Sequence, residues 1–238
     1  MKIFSKEDIG SHIIYKIFSI KVKLRKISNN RMFVIDKRGI KKRVFWISGL
    51  QVKFYGENSE IIIHKPMIKF INSKIICGSN CNVEIKSSSN KANKLVIQAN
   101  ADNSTVLIGK NFRCTNYCDL ISHREPDLKI EIGDNCMFGS NVIIRNTDAH
   151  TIIDKTTKEI INYGKSVHIK DHVWVGREVH ILKGVEIASD SIIASNSLVS
   201  KSCLDENCIY GGVPAKKIKS NVEWEAASIR YYEKHMQK

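Results

Sequence analysis

Three sets of side chains in this sequence are of types that do chemistry: His150 in the run TDAH, seven thiols, and a line of lysines towards the C-terminus. An imidazole titrates near neutral pH and can take a proton from a weakly acidic group such as a hydroxyl; a well-placed general base is worth roughly 10²–10⁴-fold. A lone histidine in a polar stretch is ordinarily surface, so its type alone leaves both readings of His150 open. Asp148, two residues earlier, can orient or charge-stabilise the ring, and equally can shape a turn. Cys77 and Cys81, and Cys114 and Cys118, are spaced four apart and suggest metal pairs, joined by Cys136, Cys203 and Cys208. Zinc pairs usually have tighter spacing and a second matching pair.

The elements that position these residues follow from an internal repeat. Ile169, Val175, Ile181, Ile187, Ile193 and Val199 recur at every sixth position, and Val173, Val179, Val185, Ser191, Ser197 and Cys203 follow four places after each phase. The same phase runs through Ile132, Phe138 and Ile144, with Cys136 and Val142 in the smaller slot and Gly133, Gly139 and Gly176 after the aliphatic residue. A period of six fits neither a helix of 3.6 residues per turn nor an isolated hairpin; it specifies a short strand, a corner and another strand. Three such units close one triangular coil, with the aliphatic residue pointing inward and glycine easing the corner. Weaker matches begin at Tyr55, Cys77 and Ile108, which puts the paired cysteines in the inward slots as packing thiols. His168 and His180 differ by twelve residues and His172 falls in another phase, so these three cannot stack on one face as a zinc site.

Two stretches break the period. Residues 146–166 are too polar and irregular for a wall and are expected to form an extruded loop, carrying His150 outside the prism. Residues 86–102 are expected to be a second loop or a poorly matching coil. Trp174 departs from the modest residues of its wall; an indole pointing outward offers a platform for a sugar ring or a pantetheine arm, and an N–H for a reacting oxygen. Residues 1–47 form a basic segment, expected to be partly helical over 6–27 and to cap the solenoid; 48–220 form the solenoid; 221–238 form a final helix with Asn221 as its N-cap.

The formal charge is +14, and between Lys16 and Arg43 Asp36 is the sole carboxylate. Such a balance suits an anionic partner, among them a glycan, a phosphorylated cofactor or a membrane surface. Interleaved aromatics of the kind used by nucleic-acid grooves are lacking, and no run of apolar residues is long enough for a transmembrane helix. A cytoplasmic location is expected.

The segments DAHTI, SVHIKDHVWVGREVHILKGVEIASDSIIASNSLVSKS and IYGGVPAKKIK, in this order and separation, resemble the hexapeptide-repeat acyltransferases. The resemblance spans about residues 105–222 and is nearest to bacterial capsular polysialic acid O-acetyltransferases and to galactoside and maltose acetyltransferases. It implies an all-β fold, a left-handed parallel β-helix, assembled as a homotrimer with sites between neighbouring prisms. It further implies acetyl transfer from acetyl-CoA to a sugar hydroxyl, without a metal, with His150 as general base and Trp174 bordering the site. Asn116 matches an active-site asparagine that hydrogen-bonds the acceptor or the developing oxyanion; an outward corner residue is the plain alternative. For the cofactor the resemblance points to Gly176, Arg177 and Ser195 along the pantetheine, and to Ser200, Lys201, Lys216, Lys217 and Lys219 near the phosphates. The acceptor implied is a surface glycan or its precursor, and the basic N-terminal segment suits a polyanionic acceptor and peripheral contact with the inner membrane surface. N-acetylation of a nucleotide-linked amino sugar shares this machinery, and a basic glycan- or nucleic-acid-binding solenoid without catalysis is the reading of another class.

Overall fold

In the computed structural model the backbone is described for residues 4–9, 12–17, 20–25 and 28–236, and side chains from residue 28. From Arg31 onward the chain winds as a three-walled parallel solenoid. The first wall stacks Arg31–Ile35, Glu60–His64, Asn82–Ile85, Thr105–Ile108, Lys129–Ile132, Val167–Ile169 and Glu186–Ile187 in parallel register. The second and third walls form one 13-stranded sheet because Arg113–Ser122 and Met137–Arg145 run unbroken through the corner between them. The second wall also holds Lys69–Ile71, Lys91–Asn93, Trp174–Val175, Ile192–Ile193 and Cys208–Gly212; the third holds Leu50–Phe54, Ser73–Cys77, Leu95–Ala99, His180–Ile181 and Leu198–Val199.

The six-residue phase is the core. Ile169, Val175, Ile181, Ile187, Ile193 and Val199 are all buried, as are the smaller Val173, Val179, Val185, Ser191, Ser197 and Cys203. One level of the prism is filled by Phe112 and Phe138, edge to face with centroids 5.1 Å apart, an arrangement that matches the positive ring edge to the negative face. Residues one coil apart lie 18 positions apart in the later turns, as in the Arg177 to Ser195 bond. In the earlier turns the offset grows to 22, 23 and 24 positions, as in the Cys81 to Ser59, Ser79 to Asp102 and Lys110 to Asp134 bonds. The extra residues lengthen the corners, which is why the sequence period fades upstream. Residues 86–102 accordingly include two strands of the stack, Lys91–Asn93 and Leu95–Ala99.

Glycine eases the corners differently from the expectation. At Gly109, Gly133, Gly139 and Gly176 the backbone is not left-handed; the positive φ falls two residues later, at Asn111 (56°), Asn135 (59°), Asn141 (58°) and Glu178 (58°). Asparagine tolerates that region because its short side chain bonds locally. What the glycines permit is close stacking: a Cβ on Gly109 would lie 2.4 Å from the backbone of Gly133, and one on Gly176 would lie 2.7 Å from the amide of Ser195.

Both terminal expectations need correction. The stretch read as a helix over 6–27 is described as an antiparallel meander, Phe4–Ile9, His12–Ile17 and Ile20–Arg25. The alternation Ile-Lys-Val-Lys-Leu-Arg is a period of two, rich in β-branched residues, and it prevails over the helical spacing of the longer segment. Arg31–Ile35 already pairs in parallel with Glu60–His64, so the stack begins within the segment assigned to the cap. At the other end the helix spans only Ile229–His235, capped by Ser228, with Lys234 and His235 in its last turn. Asn221 has φ 58°, a left-handed conformation that an N-cap does not use. Residues ahead of the helix stay extended because Trp224 is laid against the prism, with 7% of its surface exposed.

All seven cysteines are free and buried. Burial pushes the thiols of Cys77 and Cys136 up to about 12 and that of Cys203 up to about 11, so their reactive thiolates are scarce at neutral pH. Ellman's reagent at mildly alkaline pH is expected to label none of the seven in the folded protein and all of them after denaturation. Rapid labelling of the native chain would refute the packing role.

Candidate active site

The extruded loop leaves the prism at the corner between the third and first walls, after Arg145, and returns at Val167. It is clamped at its stem. The Glu125 carboxylate accepts the Thr147 hydroxyl at 2.6 Å through one oxygen and the Gly164 amide at 2.6 Å through the other. Asn146 is buried; its Nδ2 donates to the Ser122 hydroxyl at 2.9 Å, and its carbonyl accepts the Lys165 amide at 2.9 Å. A Cβ at Gly164 would lie 2.6 Å from a Leu128 methyl and 3.0 Å from the Asn146 carbonyl and the Glu125 carboxylate, so a side chain here would press on the clamp.

Within the loop Asn162 organises the backbone around His150. Its Nδ2 donates to the His150 carbonyl at 2.8 Å and to the Asp148 carboxylate at 3.0 Å, while its Oδ1 accepts the Ile152 amide at 2.7 Å. Lys183, at the same corner one coil further along the chain, donates to the Asp148 carboxylate and to the Asn162 carbonyl. The His150 residue is left exposed. Among the described residues no hydrogen bond joins Asp148 to the His150 ring; Asp148 is engaged with Lys183 and Asn162. That pairing with the Lys183 ammonium holds the Asp148 carboxyl below its ordinary value, with a smaller lowering from Asn162. A depressed carboxyl adds stability above its unfolded pKa and loses it as pH falls through the folded value, so this tether holds at neutral and mildly acid pH.

The other candidates lie along a different edge. Asn116 and Ser140 are Cα partners at the corner between the second and third walls, and Asn116 accepts a hydrogen bond from Asn93 at 3.2 Å. One coil on, Gly176 and Arg177 occupy the same corner. Next comes Ser195, whose hydroxyl accepts the Arg177 amide at 3.1 Å. The corner after that is Gly211 to Lys216, on the hairpin of Cys208–Gly212 with Ala215–Ser220. Lys216 and Lys219 have no carboxylate partner among the described residues, whereas Lys217 pairs with Asp205 at 3.0 Å and Arg177 with Glu178 at 2.8 Å. Trp174 begins the second-wall strand leading to this edge. It points outward, 38% exposed, between its Cα partners Met137 and Ile192. Ser200 and Lys201 instead fall at the corner between the third and first walls, the corner from which the His150 loop springs.

Four residues escaped the sequence reading: Glu125, Asn162 and Lys183, which hold the loop, and Trp224. Trp224 stacks on His172 with ring centroids 4.3 Å apart and planes at 12°, donates its indole N–H to the His172 carbonyl at 2.9 Å, and lies 5.9 Å from Trp174. It also lines a cavity of about 390 Å³ with Asn90, Asn111, Asn135, Arg113 and Met137. A tryptophan outside the repeat carries no periodic signal, so only its burial reveals it. Three further histidines find carboxylates: His64 with Glu84, His168 with Glu131 and His172 with Asp190, each at 2.7 Å. Among the described residues no group of three or more histidines, cysteines and carboxylates is disposed to hold a metal, and no helix is long and apolar enough to cross a membrane.

The family model for the bacterial transferase hexapeptide (six repeats) matches residues 166–201. An uncharacterised 24.8 kDa protein in the cps region of Klebsiella pneumoniae is 30% identical over 173 residues, covering 72% of this chain and 74% of the relative. The chain belongs to the bacterial hexapeptide transferase family. A polysialic acid O-acetyltransferase of Escherichia coli O1:K1 / APEC is 33% identical over 121 residues, 51% of this chain and 38% of that relative. The solved structure of the polySia-specific acetyltransferase NeuO has a TM-score of 0.68 at 29% identity, over 83% of this chain and 90% of that one. The chain thus spans well under half the length of the Escherichia coli relative, although it covers most of the solved NeuO chain.

In this hexapeptide transferase the loop clamp can be tested apart from any reaction. Glu125→Ala removes two hydrogen bonds to a charged group, each worth about 1.5–3 kcal/mol. Thermolysin is expected to cleave within residues 150–163 at least ~10-fold faster while the prism keeps its circular dichroism spectrum, since tenfold needs only about 1.4 kcal/mol. Unchanged cleavage would show that Glu125 does not hold the loop.

Proposed function

We propose that the protein is an acetyl-CoA-dependent O-acetyltransferase, wound as a left-handed β-helix and active as a homotrimer, that acetylates a hydroxyl of a bacterial surface glycan or its precursor. The observation that carries this is the division of the candidate residues between two edges of one prism. Trp174, Asn116, Gly176, Arg177 and Ser195 belong to the edge between the second and third walls, while His150, Lys183, Ser200 and Lys201 belong to the edge across the third wall. At ~3.3 Å per residue, a wall of five residues separates these edges by about 15 Å. A base and a donor site that far apart cannot serve one reaction within a single chain, but neighbouring prisms that abut edge to edge bring one set against the other. The exposed Ile152, Ile153, Ile161 and Tyr163 of the loop give such a contact its apolar surface.

The donor edge suits an extended pantetheine arm. Glycine at 176 leaves the backbone bare, and the unpaired Lys216 and Lys219 offer point charges to mobile phosphates. Acetyl-CoA would supply the acetyl group as a thioester. The His150 imidazole would accept the proton of the acceptor hydroxyl as its oxygen attacks, and later return it to the departing thiol sulfur. Asn162 fixes the His150 backbone, and Asp148 acts on the loop through Lys183 and Asn162 rather than on the ring. The Trp174 indole gives an aromatic face and one N–H near the reacting oxygen. Asn116 would hydrogen-bond the acceptor. For the acceptor class, support comes from the match to a polysialic acid O-acetyltransferase and to a protein of a cps region. The donor is a cytosolic metabolite, and the reaction is assigned to that compartment.

Four measurements test this. His150→Ala is expected to keep the oligomer and coenzyme A binding and to lose at least ~10²-fold in turnover, the low end for a general base; retained activity would assign the proton to another group. Lys216→Ala with Lys219→Ala is expected to raise KM for acetyl-CoA with little change in kcat, because the phosphates lie far from the reacting carbon. Light scattering of the active protein is expected to give a trimer, and a fully active monomer would overturn the shared site. Thiol release with polymeric, nucleotide-linked and free sugars identifies the acceptor, and turnover confined to amino sugars would convert the assignment to N-acetylation.

A further inference from the structure

The end of the prism remote from the C-terminal helix carries a surface that the acetyl-transfer reading leaves without a purpose. Lys41–Val44 is the outermost strand of the first wall, paired antiparallel with Arg31–Ile35 and, among the described residues, unpaired along its other side. The chain leaves it through Phe45 and Trp46, side by side at a bend and 83% and 75% exposed. Two adjacent aromatics so fully in water cost solvation and pack against nothing in the core, which marks a contact surface. Beside them a groove of about 360 Å³ is lined by the apolar Val34, Ile40, Val44, Trp46 and Met67 and flanked by Lys42 and Lys65.

Charge supplies the second half of the pattern. Lys37, Arg43 and Lys65 have no carboxylate partner among the described residues, Lys42 makes no direct ion pair but lies in the field of Asp36, and the Arg43 guanidinium lies over the Phe45 ring at 5.3 Å. The sole nearby carboxylate of this hairpin, Asp36, is occupied by Arg38 and by the Ile40 amide. Large apolar side chains projecting from a surface where cations outnumber carboxylates are the composition that seats a protein on an anionic bilayer. The rings enter the headgroup and acyl boundary, where tryptophan is favoured, and the cations meet lipid phosphates. A second copy of the same surface would be repelled by its own charge. A glycan would need a run of hydrogen-bonding partners for its hydroxyls, and apart from Asp36, Ser48 and the two lysines the lining is apolar.

We propose that this face, built on Phe45, Trp46, Lys42 and Lys65, docks the protein peripherally on a bilayer containing anionic phospholipid. Docking would orient the long axis of the solenoid relative to the membrane and hold the site near acceptors that are made or carried there. The surface is independent of the acetyl-transfer assignment.

The test is co-sedimentation of the full chain with vesicles of phosphatidylcholine alone and of phosphatidylcholine mixed with phosphatidylglycerol. Wild type is expected to bind the mixed vesicles, less as salt rises, and not the neutral ones. Phe45→Ser with Trp46→Ser, and separately Lys42→Glu with Lys65→Glu, are each expected to weaken binding by at least ~10-fold, given the contributions that aromatics and cations make at bilayer surfaces. Circular dichroism and thiol release with a small acceptor are to remain unchanged. Quenching of tryptophan fluorescence by lipids brominated on their acyl chains should be lost in Trp46→Phe. Four results would overturn the proposal: no binding to either vesicle, equal binding to both, vesicle binding untouched by the variants, or a fall in oligomeric mass in the aromatic variant, which would assign the patch to a second copy. Binding of a soluble anionic glycan that the same variants abolish, without vesicle binding, would assign it to a glycan instead.

Discussion

Each coil of this protein satisfies its backbone through the coils on either side, and everything else about the molecule follows from keeping that stack close. A parallel ladder needs its strands about 4.8 Å apart, and the corners must stack as tightly as the walls. That is why Gly109 lies over Gly133, and Gly176 under Ser195, at distances no Cβ would tolerate. It is also why the residue two places on adopts the left-handed region and is so often asparagine. Inside the walls the same constraint fixes volume: each level admits one large and one small side chain per strand and corner. Cysteine serves as readily as valine in the smaller slot, where burial suppresses its acid chemistry.

A stack this regular has few places from which to build a site. Side chains on the walls are in register with their neighbours above and below, so a row of residues along one edge presents similar chemistry at regular height. Asn116, Ser140, Arg177 and Ser195 form such a row, suited to a long, thin ligand lying parallel to the axis. Chemistry that needs a mobile, individually oriented group must leave the register. The loop after Arg145 does so, held at its stem by Glu125 and at its crown by Asn162 and Lys183. Both restraints are polar, so they hold the loop without drawing on the apolar core.

The later coils were legible in the sequence because six-residue spacing over residues 132–203 leaves almost no alternative, and every residue assigned to an inward slot there is buried. The position of the loop was legible for the same reason, as a gap in the period. Upstream, coils lengthened to 22–24 residues lose the phase, and Lys91–Asn93 and Leu95–Ala99 could be recovered only from their pairing. At the N-terminal end two periodicities competed, and strand pairing prevailed over a helical spacing of five apolar residues. At the C-terminal end, the helix was expected seven residues too early because a stack of Trp224 on His172 cannot be foreseen from either residue. The role of Asp148 also needed coordinates: its carboxylate is engaged by Lys183 and Asn162 and does not bond the His150 ring.

The sequence treated the candidate residues as one set, but the solenoid distributes them over two edges, and this has an energetic consequence for the proposed enzyme. If the site is completed between prisms, the apolar surface of the loop does double work as interface and as wall of the reaction site. Its exposed isoleucines need not be compensated within one chain, because burying them on a neighbour contributes to assembly at ~25 cal/mol per Å² before the costs of association. Any substitution that loosens the clamp at Glu125 or Lys183 then acts twice, on the placement of His150 and on the surface that holds the neighbour. Activity and assembly are therefore coupled through one loop, whereas the hexapeptide core, which shares no hydrogen bond with His150, can remain folded through changes to either.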